Sequence, residues 1–388
     1  MIPLHEPTFD EADESAVVET LRSAWVSTGG PKVTEFEAQF AEYVGVEHAV
    51  SVCNGTMGLS LALTVLARER KIIGTFTVLV PNLTFIATAN AVVQAGGVPV
   101  FFDTAPESLN AGLVQIQASL SKNFKQDAAG QGWRHKDSQL PLLAIMPAHI
   151  MGWGGEILKI AQFCQEKQIP LIEDAAESLG SRHLSGEHFG KLGSMAVFSF
   201  NGNKILTTGG GGMVVTRSAH LAHRLKHLST TAKTDGFRFE HDEVGFNYRL
   251  VNILAALGCS QLQKLNGRLC LKAEIFKNYQ RHLSSTPLKL YQETQCHPNH
   301  WLVNVVCESL EQRERILSHL NEHKVQARPI WKLNHSQPAL RSFCDSRNDG
   351  DYSNSNEMWK KVVSLPSSPH LTSGQIEFIS GHIINALN

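Results

Sequence analysis

Apolar residues in this chain fall in short runs separated by helical-period stretches and by glycine- or proline-bearing turns. HAVSVC, TVLVP, VPVFFD, LLAIMPAHI, IPLIED, MAVFSF and GMVVT follow one another between His48 and Thr216. Each is short, mostly apolar and bounded by turn residues, which is the pattern of a buried strand. Strands of that kind alternating with helices predict a mainly parallel sheet of seven strands covered on both faces, an α/β architecture. Ahead of them, 14–23 and 34–43 read as helices with WVSTGG as the turn between them. The polar, glycine-bearing stretch 121–140 reads as an exposed excursion. A long helix from about Ile253 to Gln280 leads to HWLVNVVC (strand), QRERILSHLNEH (helix) and VQARPIW (strand). The expected division is a large domain over 1–252, then a linking helix and a smaller α+β domain over 253–388.

Composition narrows the class. With 388 residues and 42% hydrophobic content the chain can bury a large core. A net charge of −1 gives no basic field to attract nucleic acid or an anionic membrane. Seven cysteines, an odd number with no CxxC pair, argue against a disulfide framework or zinc ribbon, and for reduced core thiols in a cytoplasmic protein. MIPLHEPTFDEADES lacks the features of a signal peptide, and no apolar run approaches the ~20 residues that span a bilayer. A soluble chain is expected.

Two segments carry the chemistry. In SFNGNKILTTGGGGMVVT, Lys204 sits in a tight loop between two strands, among small residues. A lysine held at the mouth of a sheet and stripped of water is a nucleophile toward carbonyls, as Schiff-base lysines are. In IPLIEDAAESLGS a strand ends at Asp174, where open α/β sheets place their ligands. A lysine to hold the aldehyde and a carboxylate to keep the pyridine nitrogen protonated are the two groups that pyridoxal phosphate (PLP) needs most. Asn54, Gly55 and Thr56 form a strand-to-helix turn whose N–H groups suit a phosphate, and Ser199 adds a hydroxyl. Phe85, after a strand and Pro81, offers a flat ring to stack on the pyridine.

NGTMGLSLAL, VPNLTFIATANAVVQAGGVPVFFDT, IEDAAESLGS, SFNGNKILTTGGGG and GFNYRLVNILAALGCSQLQKL occur in the order and spacing of the DegT/DnrJ/EryC1/StrS aminotransferases, and the resemblance spans nearly the whole chain. It implies the PLP-dependent transferase fold type I. IPLHEP, WVSTGG, RPIWK and LPSSP look most like the LegC subgroup, 4-aminotransferases of UDP-linked 4-keto-6-deoxy-N-acetylhexosamines. The resemblance implies that Lys204 anchors the cofactor and acts as general base, that Asp174 faces the pyridine nitrogen, and that Gly55, Thr56 and Ser199 hold the phosphate. It places Phe85 over the ring and Glu177 where many members have a glutamine. Asn247 in GFNYR resembles the asparagine that reaches the phosphate of the neighbouring subunit, with Arg249 supporting that loop or touching substrate. A homodimer with shared sites, converting L-glutamate and a nucleotide sugar through PLP and pyridoxamine phosphate, follows. Trp25, Thr28 and Trp331 are candidate substrate contacts, with packing an equal alternative.

Other signals have plainer readings. His220, His223 and His227 share one helical face but lack a carboxylate or cysteine to complete a metal set, so no metal is expected. The glycine run 209–212 lacks a GK[ST] ending and is no P-loop. Amination at C3, a sugar dehydratase and a non-catalytic PLP-binding regulator stand as alternatives. Lys204 weighs against the dehydratase, since the relatives that dehydrate carry histidine there.

Overall fold

The computed structural model describes residues 1–127, 130, 132–343 and 350–387. Helix α1 (Glu11–Arg22) starts at Asp10, whose carboxylate accepts the N–H groups of Ala12 and Asp13, while Asp13 reaches back in a capping box. Helix α2 (Pro31–Val44) opens on proline and closes on Gly45 at φ +78. Both begin earlier than their apolar periodicity alone suggests.

The seven expected strands all form: β1 (His48–Val52), β2 (Thr77–Pro81), β3 (Val98–Phe102), β4 (Leu142–Ile145), β5 (Ile172–Asp174), β6 (Met195–Ser199) and β7 (Gly212–Thr216). Their order across the sheet is β1-β7-β6-β5-β4-β2-β3, with β5 joined to β4 by the parallel bridges Ile145–Leu171 and Ala148–Asp174. Only β7 runs antiparallel to its neighbours. The fold is the mainly parallel α/β sheet that the sequence predicts. Between strands run α3 (Gly55–Glu69), α4 (Ala87–Gln94), α5 (Leu113–Asn123) and α6 (Ile157–Glu166), with α7 (Ala219–Ser229) after β7. Aromatic packing fixes α2 to the sheet: Phe40 meets Phe198 at 5.2 Å between ring centroids and Phe36 meets Phe200 at 5.2 Å.

The expected long helix is two: α8 (Asn252–Gln263) and α9 (Leu265–His282), parted at Lys264. Lys264 there pairs with Asp10 and with the buried Asp13, so the break lets α8 pack on α1 and α2 while α9 turns toward the second sheet. That sheet holds β8 (Lys289–Leu290), β9 (Val303–Val306), β10 (Arg328–Pro329) and β11 (Val362–Leu365) in the order β8-β9-β11-β10, covered by α10 (Leu310–Glu322) and α12 (Ser373–Leu387), with α11 (Ser353–Lys361) leading into β11. VQARPIW contributes only the two-residue β10. In the excursion, α5 extends to Asn123 and Phe124–Gln126 pairs with Trp133–His135; residues 128, 129 and 131 lie outside the described ones.

Candidate active site

The carboxyl ends of the strands open on a cavity of about 330 Å³ beside the start of α3, the usual ligand position in open α/β sheets. Asn54 caps α3 by accepting the Met57 N–H at 2.8 Å. The earliest N–H groups of a helix have no intrahelical acceptor, and Gly55 and Thr56 bring theirs to the cavity wall, beside Ser199 at the end of β6. Strand and helix approach too closely for side chains. A Cβ on Gly55 would lie 3.0 Å from Ser199 Cβ, and one on Gly212 would lie 2.8 Å from the Phe198 carbonyl oxygen. The result is a small anion cradle at a positive helix end.

Lys204 rises from a loop closed by its own backbone: the Phe200 N–H donates to the Gly211 carbonyl at 2.9 Å, and the Thr208 N–H to that of Phe200 at 3.1 Å. Its Nζ lies 3.4 Å from Glu177 Oε1 and 3.9 Å from the centroid of the Trp301 ring. Asp174, at the end of β5, accepts the Thr88 hydroxyl at 2.6 Å and the Ala176 N–H at 3.2 Å. Burial pushes its carboxyl above the ordinary range, which the Thr88 hydrogen bond partly offsets. Burial likewise raises Glu177, against the opposing pull of Lys204. Glu177 Oε2 is anchored by the Met151 N–H at 2.9 Å, from a residue in the left-handed region at φ 56.

Three contributors carried no signal in the sequence pattern. Trp301, read only as part of a strand, forms a cavity wall, and its indole N–H donates to the Asn203 carbonyl at 2.7 Å. Asn299 ties this segment to the other half of the site by donating to the carbonyls of Glu177 at 2.7 Å and Leu179 at 3.0 Å. His149 also lines the cavity and pairs with the fully buried Glu173 at 2.8 Å. Burial alone would raise Glu173; His149 and the N–H groups of Gly193 and Gly190 outweigh it and hold the carboxyl below its ordinary value.

Of the sequence candidates, Gly55, Thr56, Phe85, Asp174, Glu177, Ser199, Lys204 and Trp331 all line this one cavity. Phe85 and Trp331 meet edge-to-face at 6.1 Å on its open side. Asn247 and Arg249 do not line it. Arg249 donates to Asn247 Oδ1 from Nε at 2.9 Å and Nη2 at 2.7 Å, in a segment whose backbone pairs with the end of β1 through the Val52–Arg249 bridge. Trp25 is 58% exposed in a shallow depression of its own turn, and Thr28 is half-buried on the same turn, which Asn252 pins by donating to the Trp25 carbonyl. The histidine face of α7 does meet carboxylates, contrary to the sequence reading: His227 contacts Asp242 at 2.8 Å and Glu243 at 3.6 Å, and His220 contacts Glu69. Arg224 reaches both Glu69 and Glu243, and Arg68 reaches Glu243, so this is an ion-pair network.

A lysine facing an aromatic wall, a buried carboxylate that forms no ion pair among the described residues and an anion cradle together fit PLP: amine for the aldehyde, carboxylate for the ring nitrogen, helix end for the phosphate. Fold and site thus define a fold-type I PLP enzyme. The profile of the DegT/DnrJ/EryC1/StrS aminotransferase family matches residues 7–384, and the chain belongs to that family. It is 30% identical over 391 residues to the GDP-perosamine synthase of Vibrio cholerae, covering 100% of both. It is 28% identical over 400 residues to a UDP-4-amino-4,6-dideoxy-N-acetyl-beta-L-altrosamine transaminase of Campylobacter jejuni, covering 100% of this chain and 98% of the relative. The aminotransferase TlmJ from Streptoalloteichus hindustanus superimposes with a TM-score of 0.88 at 27% identity, over 100% of this chain and 99% of that one. The protein is a PLP-dependent sugar aminotransferase. Among the described residues no helix is long and apolar enough to cross a membrane.

Proposed function

We propose that the enzyme moves an amino group from L-glutamate to the C4 ketone of a nucleotide-linked 4-keto-6-deoxy-N-acetylhexosamine, with UDP as the nucleotide. The observation that carries this is the meeting of Lys204, Asp174 and Glu177 in one cavity beside the start of α3. The Campylobacter relative, a transaminase named for a UDP-linked 4-amino-4,6-dideoxy sugar, supports the position and the nucleotide; the Vibrio relative, a GDP-perosamine synthase, makes a GDP sugar the obvious competitor.

PLP bound here supplies an electrophilic carbonyl carbon and a ring that takes up the electron pair of a carbanion. Lys204 Nζ would anchor the cofactor through its aldehyde and, as a free amine, would serve as the base that moves the substrate's proton. Asp174 would keep the ring nitrogen protonated, Gly55, Thr56 and Ser199 would hold the phosphate, and Phe85 would offer its ring to the pyridine. Trp331 stands where the sugar nucleotide enters, and Trp25 and Thr28 serve the same substrate from across an interface.

Asn247 and Arg249 complete the site of a second subunit in a cytoplasmic homodimer. The nearby hairpin Lys233–Asp235/Glu240–His241 supports this by exposing Phe237 at 91% and Phe239 at 66%. The domain boundary belongs to this reading: residues 1–252 carry the cofactor site and 253–388 bring Trp301 and Trp331 over it.

The test is the visible absorbance of the PLP-loaded protein before and after L-glutamate, followed by UDP- and GDP-linked 4-keto sugars. Glutamate should bleach the lysine-bound band, and the UDP sugar should restore it with release of a 4-amino product. A band indifferent to glutamate sinks the donor assignment, and recovery only with the GDP sugar sinks the nucleotide.

A further inference from the structure

The small domain carries a second cluster of chemistry-bearing side chains, remote from the cofactor cavity. His319 and His323 lie one turn apart on α10, and His382 lies on α12, which packs against it. His319 Nε2 and His382 Nδ1 are 3.1 Å apart, and the three rings offer nitrogens that all lie within 4.8 Å of one another. The ring centroids are 4.2 Å apart for His323 and His382, and 4.3 Å for His319 and His323. In a tetrahedral zinc site with Zn–N bonds of ~2.0–2.1 Å, neighbouring nitrogens sit about 3.3 Å apart, so little movement is needed.

The surroundings also suit a metal. His323 Nδ1–H donates to the His319 carbonyl at 2.8 Å, which fixes its tautomer and leaves Nε2 with a free lone pair. Metal-bound imidazoles are ordinarily oriented this way. Phe378 presents its ring to His382 edge-on at 4.4 Å and limits its rotation. Nothing in the transamination uses these residues, and none lines the cofactor cavity.

We infer that His319, His323 and His382 form a three-histidine site for a divalent transition metal, Zn²⁺ foremost, which clips α10 to α12. Three imidazoles with no thiolate or carboxylate suit zinc, and three protein ligands leave the fourth position for water. Binding only the folded state, the ion stabilises the small domain by mass action.

The experiment uses the tag-free PLP-loaded enzyme, stripped with chelator and titrated with Zn²⁺ by equilibrium dialysis, with thermal melting in parallel. Wild type is expected to bind one Zn²⁺ per chain and to melt at a higher temperature with it. His323→Ala and His382→Ala should each lose affinity by about tenfold or more, with far-UV circular dichroism and the cofactor band unchanged. His227→Ala serves as control and should bind zinc like wild type. Zinc binding that survives both the His323 and His382 changes, or that vanishes only in His227→Ala, overturns the assignment, as does the absence of bound zinc in wild type.

Discussion

At the scale of single residues the site is a matter of which groups hold charge. Lys204, Glu177 and Asp174 occupy one poorly solvated space in which both carboxyls are raised by burial. Lys204→Ala should still bind PLP but lose turnover; sustained multiple turnover by that variant contradicts its role. Asp174→Asn keeps the shape and leaves the ring nitrogen without its counter-charge, so kcat should fall by ~10²-fold or more, the usual scale for a positioned acid–base group. Glu177 is the more informative case, because its Oε1 stands 3.4 Å from Lys204 Nζ while Oε2 is held by the backbone. Replacing it by glutamine removes a negative neighbour and so disfavours the protonated state of the lysine–cofactor link. The pH midpoint of the visible band should drop by about one unit or more. A midpoint and pH–rate profile identical to wild type would confine Glu177 to packing.

At the scale of elements, the junction of β1 and α3 shows how local sequence makes a binding site. Asn54 in extended conformation caps the helix, and small residues after it leave room for an anion. Asn54→Ala should cost about 1 kcal/mol in urea unfolding and weaken PLP retention. Asn54→Ser should recover most of both; equal losses in the two variants would show that the cap is not the cause. Elements of this sort were legible in the chain because a strand, a cap and a catalytic residue lie within a few positions of one another. The seven strands and the loop of Lys204 fall in that class. Trp301, Asn299 and His149 were not legible, because their roles depend on contacts across long sequence separations, such as Asn299 with Glu177. The split at Lys264 was hidden for the same reason: α8 and α9 continue one apolar period, and only the ion pairs with Asp10 and Asp13 mark the break. Asn247, Arg249, Trp25 and Thr28 do not line the cavity of their own chain.

At the scale of the whole molecule, buried histidines link stability to pH. His188 is 1% exposed and fully committed as a neutral ring: its Nδ1–H donates to the Phe189 carbonyl at 2.5 Å, while Nε2 accepts the Gly180 N–H at 2.7 Å. A proton on Nε2 would break the second bond and put a charge in a closed interior. Burial accordingly pushes its pKa down to about 3, well below the ~6.5 of an unfolded histidine. The folded state therefore binds no proton at His188 across a window where the unfolded chain binds one. The stability this group contributes is complete above pH ~6.5 and is lost progressively as pH falls toward 3. Across the middle of that window the slope is about 1.4 kcal/mol per pH unit. Other buried groups titrate nearby, with Asp174 and Glu177 acting in the opposite direction, so the absolute curve does not isolate His188. The slope difference between wild type and His188→Gln does, because a non-titrating side chain shifts stability by a constant and removes one linked proton. Urea unfolding at intervals from pH 4.5 to 6 should give the variant a flatter dependence by about that 1.4 kcal/mol per pH unit. Parallel lines for the two proteins would mean that His188 takes up a proton in the folded state and that the Gly180 hydrogen bond does not hold its tautomer.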